Sequence, residues 1–190
     1  DGRKGEVITC DPPPRHVGIF YDLGSYKHLQ QLKGLARQPY YRECDGVLVK
    51  TPGYDSQSRM FGVFDADQFE MPEPTLECAK DALSLLESLL SEFHFANDHD
   101  KAAALSAILT AVVRPSLAHA PAFHVRAPSS GSGKSYLCAL ISYFAGPAGS
   151  AKVSFPKTSE EASKVLLALF LTNPPGIEFD DMDTDWIPHG

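Results

Sequence analysis

The stretch Ala127-Pro-Ser-Ser-Gly-Ser-Gly-Lys-Ser135 constrains this chain more than any other. It reads as a phosphate-binding loop. Residues 122–125 before it form an apolar strand candidate and residues 135–145 after it form a helix candidate, the strand–loop–helix setting that such a loop needs. A loop of this kind turns backbone N–H groups inward as an anion nest, and the helix behind it adds the positive end of its dipole. Gly131 and Gly133 let the backbone approach phosphate with no Cβ in the way. Lys134 then reaches toward β- and γ-phosphates, and the Ser135 hydroxyl is placed to hold Mg²⁺. The usual pattern, G-x-x-x-x-G-K-[ST], has glycine where this chain has Pro128, and proline removes one N–H from the cradle. The bland alternative is a Gly/Ser loop ahead of an ordinary helix. Ser130 and Ser132 either add a hydroxyl to phosphate or are small turn residues.

A second motif favours the phosphate reading. Ile177-Glu-Phe-Asp-Asp181 is a short apolar run ending in two carboxylates, and Pro174-Pro175-Gly176 marks a loop just before it. In a nucleotide-hydrolysing loop protein a buried strand carries an acid at its C-terminal tip. Here Asp180 is placed to hold Mg²⁺ through its water shell, and Asp181 to orient or deprotonate an attacking water. The alternative for 180–185 is an exposed acidic loop. Between the two motifs lie a helix, a strand candidate at 151–155 and another helix. That βαβαβ order predicts a parallel sheet with ligands at the strand tips.

The chain has 190 residues, 43% hydrophobic, enough for one good core or for a domain and a smaller companion. Its formal charge of −7 gives no support for tight nucleic-acid binding by this segment alone. Cys10, Cys44, Cys78 and Cys138 form no C-x-x-C pair, which speaks against zinc. A nucleotide loop implies a cytosolic ATP pool, so four reduced thiols and a cytoplasmic location are expected. No signal peptide and no membrane-length apolar run is seen. The chain opens on Asp1 and closes at Gly190, so it is expected to be a piece of a longer protein.

The first seventy or so residues are turn-rich. Strand candidates lie at 7–10 and 17–21, separated by Pro12-Pro13-Pro14. Ser25 reads as the N-cap of a helix with Leu29, Leu32 and Ala36 on one face, ended by Pro39. Residues 40–42, 46–50 and 60–64 suggest a meander with turns at Asp45-Gly46 and Pro52-Gly53. Thr75 caps an amphipathic helix reaching Phe93, with Ala79, Ala82, Leu83, Leu86, Leu90 and Phe93 as its stripe. A second helix, 98–114, is apolar nearly all round and is expected to be buried, pairing antiparallel with the first. Thr158-Ser-Glu-Glu161 is a capping box.

Other residues invite roles that their patterns do not support. His94, His99, His119 and His124 show no ligand spacing, and His124 is expected to be packed or hydrogen-bonded. Arg114 and Arg126 are candidates for a phosphate sensor, a subunit contact or a structural ion pair. Lys164 belongs on a solvated helix face. Tyr26, Tyr40, Tyr41 and Tyr54 lie near basic residues and could stack single-stranded bases, but strand-core or interface packing explains them better.

Residues 41–188 resemble the ATPase modules of primase-helicase-like proteins from phages, plasmids and integrated elements. The phrases are Asp45-Gly-Val-Leu, Pro52-Gly-Tyr-Asp55, Val112-Val-Arg-Pro115, Ala120-Pro-Ala-Phe123, the loop 127–135 and Phe179-Asp-Asp181. An Ala-Pro opening to the loop is familiar in that family and accounts for Pro128. The resemblance implies a core similar to AAA+ or superfamily 3 helicases, in homo-oligomeric rings acting on single-stranded or forked DNA. It assigns nucleotide contacts to Ser130, Gly131, Ser132, Gly133, Lys134, Ser135 and Tyr136, magnesium to Ser135 and Asp180, and catalysis to Lys134 and Asp181. Relatives often carry Asn at the second acidic position. Their sensor residue and intersubunit arginine would lie beyond Gly190, so weak turnover is expected from this chain by itself.

The expected fold is therefore α/β. A small α+β segment (1–70) and a helical linker pair (71–118) precede an incomplete three-layer P-loop NTPase core with a parallel sheet (119–190). The expected function is Mg²⁺-dependent ATP binding and hydrolysis in a helicase-like motor, away from membranes. The alternatives are a nucleotide or small-molecule kinase, or a non-catalytic nucleotide-binding assembly module.

Overall fold

The computed structural model describes residues 10–24, 26–27, 29–129 and 131–182. The chain divides into two compact units, Asp1–Gln31 and Leu32–Gly190, so the sequence bounds near 70 and 118 fall inside the second unit.

The first unit holds one helix, α1 (Pro14–Asp22). A strand was expected over 17–21, and the structure corrects this. Pro14 sits in the first helical turn, where its fixed φ suits the helix and its missing N–H costs nothing. The strand candidate at 7–10 lies, apart from Cys10, outside the described residues, as does the expected N-cap Ser25.

The second unit opens with small sheets. Strands β1 (Gly34–Ala36), β4 (Gly53–Asp55) and β5 (Met60–Gly62) form one sheet in the order β1-β5-β4. Its β1–β5 pair is parallel and its β4–β5 pair antiparallel. Strands β2 (Tyr40–Tyr41) and β3 (Leu48–Val49) form an antiparallel hairpin. The helix expected to carry Leu29, Leu32 and Ala36 is absent from the described residues. Ala36 is instead fully buried in β1, beside Tyr40 and Met60. The Asp45-Gly46 turn forms as expected, with Gly46 at φ 68° and the Asp45 carboxylate accepting from Val47 N–H at 3.1 Å. Gly53, expected in a turn, begins β4 at φ 101°.

Helices α2 (Leu76–Leu89) and α3 (Asp98–Val113) follow, each started by a side-chain cap. Thr75 Oγ1 accepts from Cys78 N–H at 3.2 Å, and Asn97 Oδ1 from Asp100 N–H at 3.0 Å. Helix α4 spans Lys134–Phe144, and α5 (Ser159–Thr172) joins β6 (Ala151–Ser154) to β7 (Ile177–Asp180). The two strands pair in parallel, from Ala151 opposite Ile177 to Ser154 opposite Asp180. A parallel pair needs a crossover of this kind. At the start of α5 the Thr158 hydroxyl accepts from Glu161 N–H, while the Glu161 carboxylate reaches back to Lys157 N–H rather than to that of Thr158.

The main apolar cluster joins Leu90, Ala104, Ile108 and Leu137, with Leu86, Phe93 and Val125 against it. Helix α3 packs most closely along α4, not as a simple pair with α2. Nor is α3 buried all round. Ala104, Ala107 and Ile108 face the core while Leu109 and Val112 are exposed. Its alanines make every face look apolar, but only one face has a packed neighbour. Residues 122–125 are not a strand either. Among the described residues they enter no ladder, and Val125 packs on the helical cluster instead. The architecture is thus mixed α/β, with helices and small sheets that are partly parallel. Among the described residues no helix is long and apolar enough to cross a membrane.

Gln38 ties the small sheets to the helices. It is 8% exposed, and its Nε2 donates to the carbonyls of Val112, at 2.7 Å, and Phe144, at 3.2 Å.

Candidate functional site

Helix α4 begins without a side-chain cap. Its N-cap is Gly133 in the left-handed region, φ 86° and ψ 7°, and Gly131 is also left-handed at φ 76°. Both values disfavour residues with a Cβ. The first-turn N–H groups of an α-helix have no partner within the helix. At α2, α3 and α5 a side chain supplies one, and at α4 none does. The positive end of α4 therefore faces the loop.

The loop is held by its own side chains. Ser132 Oγ donates to the Ser129 carbonyl at 2.9 Å. Lys134 Nζ turns back to the same carbonyl at 3.2 Å and to Ser132 Oγ at 3.5 Å. Ser130 lies outside the described residues. Tyr136 stacks on Phe93 with centroids 5.8 Å apart, which fixes the first turn of α4 against the segment after α2.

Asp180 ends β7, and Asp181 leaves the strand at φ 56°, its N–H donating to Asp180 Oδ1 at 3.0 Å. These two acids and the loop line one cavity of about 690 Å³, together with Ser135 and Tyr136. That is room for a nucleotide-sized ligand. The two motifs, some forty-five positions apart in the chain, thus meet in space.

Lys152 was not anticipated as part of this site. From β6 its ammonium bridges Asp180 Oδ2 at 2.8 Å and Glu178 Oε1 at 3.1 Å. The strand register accounts for this, since Lys152 lies opposite Glu178 and residues two apart share a face. The two-residue period applied to 151–155 and 177–181 could have revealed it. The bond from Lys152 holds the Asp180 carboxyl below its ordinary range, helped by Asp181 N–H and, less, by the charge of Lys134. In turn Asp180 and then Glu178 raise the Lys152 ammonium well above its usual value. Cys138 on α4 borders this charged face, and burial, then Glu178, push its thiol up.

The oxygen donors fit a hard divalent cation. Ser135 and Asp180 share the cavity, and an ammonium already rests on Asp180. Magnesium keeps several waters and takes few protein ligands, so two suffice. Among the described residues no three His, Cys, Asp or Glu side chains gather as a metal site.

Other candidates fall elsewhere. Arg114 lines a different cavity. His124 is exposed rather than packed. Tyr40 is buried in the sheet core, as its packing reading anticipates, and Lys164 pairs with Glu160 on the solvated face of α5 at 2.6 Å. No family model, no curated protein and no solved structure matches this chain.

Proposed function

We propose that this chain binds Mg²⁺–ATP and hydrolyses it as part of a DNA helicase- or primase-associated motor. One observation carries the nucleotide reading: the loop, the uncapped start of α4 and the acid pair line a single cavity. The choice of ATP, the DNA partner and the homo-oligomeric ring rest on the resemblance described above.

In this reading the loop N–H groups of residues 131–135 cradle the phosphates, and Lys134 leaves the Ser129 carbonyl to neutralise the β- and γ-oxygens. Ser135 and Asp180 hold magnesium, which when bound neutralises charge on the phosphates. Asp181 orients a water in line with the γ-phosphorus and accepts its proton. The water oxygen bonds to phosphorus as the bond to the β–γ bridging oxygen breaks, and ADP leaves with that electron pair. Most of the rate enhancement comes from positioning and charge.

Calorimetry with Mg²⁺–ATP on the native chain and on Lys134→Ala tests the reading. A loss of about tenfold or more, roughly 1.4 kcal/mol, is expected. Equal binding by both chains would remove the loop from the account. DNA-stimulated phosphate release by a longer form of the protein then tests the motor itself.

A further inference from the structure

We propose that a second cavity in the Leu32–Gly190 unit is a binding site for the phosphate group of a nucleotide, either free or within a single strand. It does not depend on the reading of the loop. This cavity, about 490 Å³, lies where the small sheets meet the ends of α3, α4 and α5. Four cations line it, Lys33, Arg37, Arg42 and Arg114, against one acid, Glu43.

Two of the cations are already matched. Lys33 pairs with Glu43 at 3.2 Å, and Arg42 with Asp45 at 3.3 Å and Asp55 at 3.7 Å. Arg37 and Arg114 are not. Among the described residues neither has a carboxylate in ion-pairing range. Arg37 Nη2 donates to the Asn173 carbonyl at 3.5 Å, and Arg114 Nη1 to the Leu117 carbonyl at 2.7 Å. Arg37 Nε is buried without a hydrogen-bond partner, as is Arg42 Nε, but Arg42 has its two carboxylates close by. A guanidinium carries five donors, so one carbonyl leaves most of its capacity unspent.

A chain of net charge −7 thus concentrates two unbalanced guanidinium groups in one concavity. A tetrahedral oxyanion suits a guanidinium fork, through paired N–H···O bonds. The cavity exceeds what a bare phosphate fills. Tyr41 is half exposed and belongs to its lining, and an exposed aromatic ring is suited to stacking a base. Phosphate joined to a nucleoside therefore suits it better than a carboxylate or an inorganic ion.

The test uses the Lys134→Ala chain, in which binding at the loop is expected to be weakened. Calorimetry with thymidine monophosphate and anisotropy with labelled, 5′-phosphorylated oligothymidylate are compared with the same measurements after adding Arg114→Gln. Arg114 is exposed, so this change is expected to leave the fold intact, checked by circular dichroism. Affinity should fall about tenfold or more with Arg114→Gln and recover in part with Arg114→Lys. Arg37→Gln should match it. Loss for both probes assigns the site to free nucleotide phosphate, and loss for the oligonucleotide alone assigns it to a strand phosphate. Either supports the proposal. Absence of binding in Lys134→Ala, or unchanged binding after Arg114→Gln, overturns it. Mg²⁺–ATP binding by Arg114→Gln with an intact loop reports on the other cavity, so the two readings fail separately.

Discussion

Lys152 is the residue that decides how Asp180 behaves. Because its bond holds the Asp180 carboxyl down, that stabilisation exists above the ordinary carboxylate pKa, about 3.9, and is lost as pH falls through the folded value. Lys152 shifts the other way. Its contribution is complete below the ordinary lysine value, about 10.4, and is lost as pH rises through the folded one. Lys152→Met should therefore move the Asp180 titration up toward the usual range, as followed by carboxyl carbon NMR. It should also tighten Mg²⁺ binding about threefold or more, since a competing cation leaves the carboxylate. An unmoved titration would show that the bridge does not form in solution. That Gly131, Gly133, Lys134 and Asp180 border one cavity was legible in the sequence, because the motifs they belong to demand one residue type at one spacing. Lys152 was not, since a lysine on a strand acquires meaning only once the register sets it opposite Glu178.

Elements with local signals were read well. Thr75 and Thr158 each cap the helix they precede, as their patterns indicated, and the runs that became α2 to α5, β6 and β7 carry clear periodicity or punctuation. The readings that failed lacked a local signal. A β-branched and aromatic run favours a strand, yet α1 is helical because a strand needs a partner, and prolines at its start preset the helix. Residues 122–125 failed for the same reason, and β1 formed where Ala36 could be buried beside Met60. Helix–helix packing gives a further prediction. Ile108 on α3 is fully buried among Leu90, Ala104 and Leu137, so Ile108→Ala should cost about 2–5 kcal/mol in urea unfolding. A value under about 1 kcal/mol would mean that the cluster collapses around the gap.

Polar ties cross the larger unit between its elements. Gln38 is one, reaching from the small sheets to the carbonyls of Val112 and Phe144. Gln38→Leu removes both bonds and leaves two carbonyls short of a donor, so a loss of about 1–3 kcal/mol is expected by denaturant titration. Hydrogen exchange should rise first in β1, β4 and β5 if this tie is what docks them. Both cavities lie in this unit, and among the described residues its core is divided between two modest clusters, Leu90–Ala104–Ile108–Leu137 and Ala36–Tyr40–Met60. Divided shielding has a thermodynamic sequel. Where hydrocarbon contributes little, occupancy contributes proportionally more, and a ligand present at a hundred times its dissociation constant adds about 2.7 kcal/mol to the folded state. On the reading proposed above, the nucleotide acts as a structural component as well as a substrate, and its depletion is expected to show as unfolding before it shows as lost turnover.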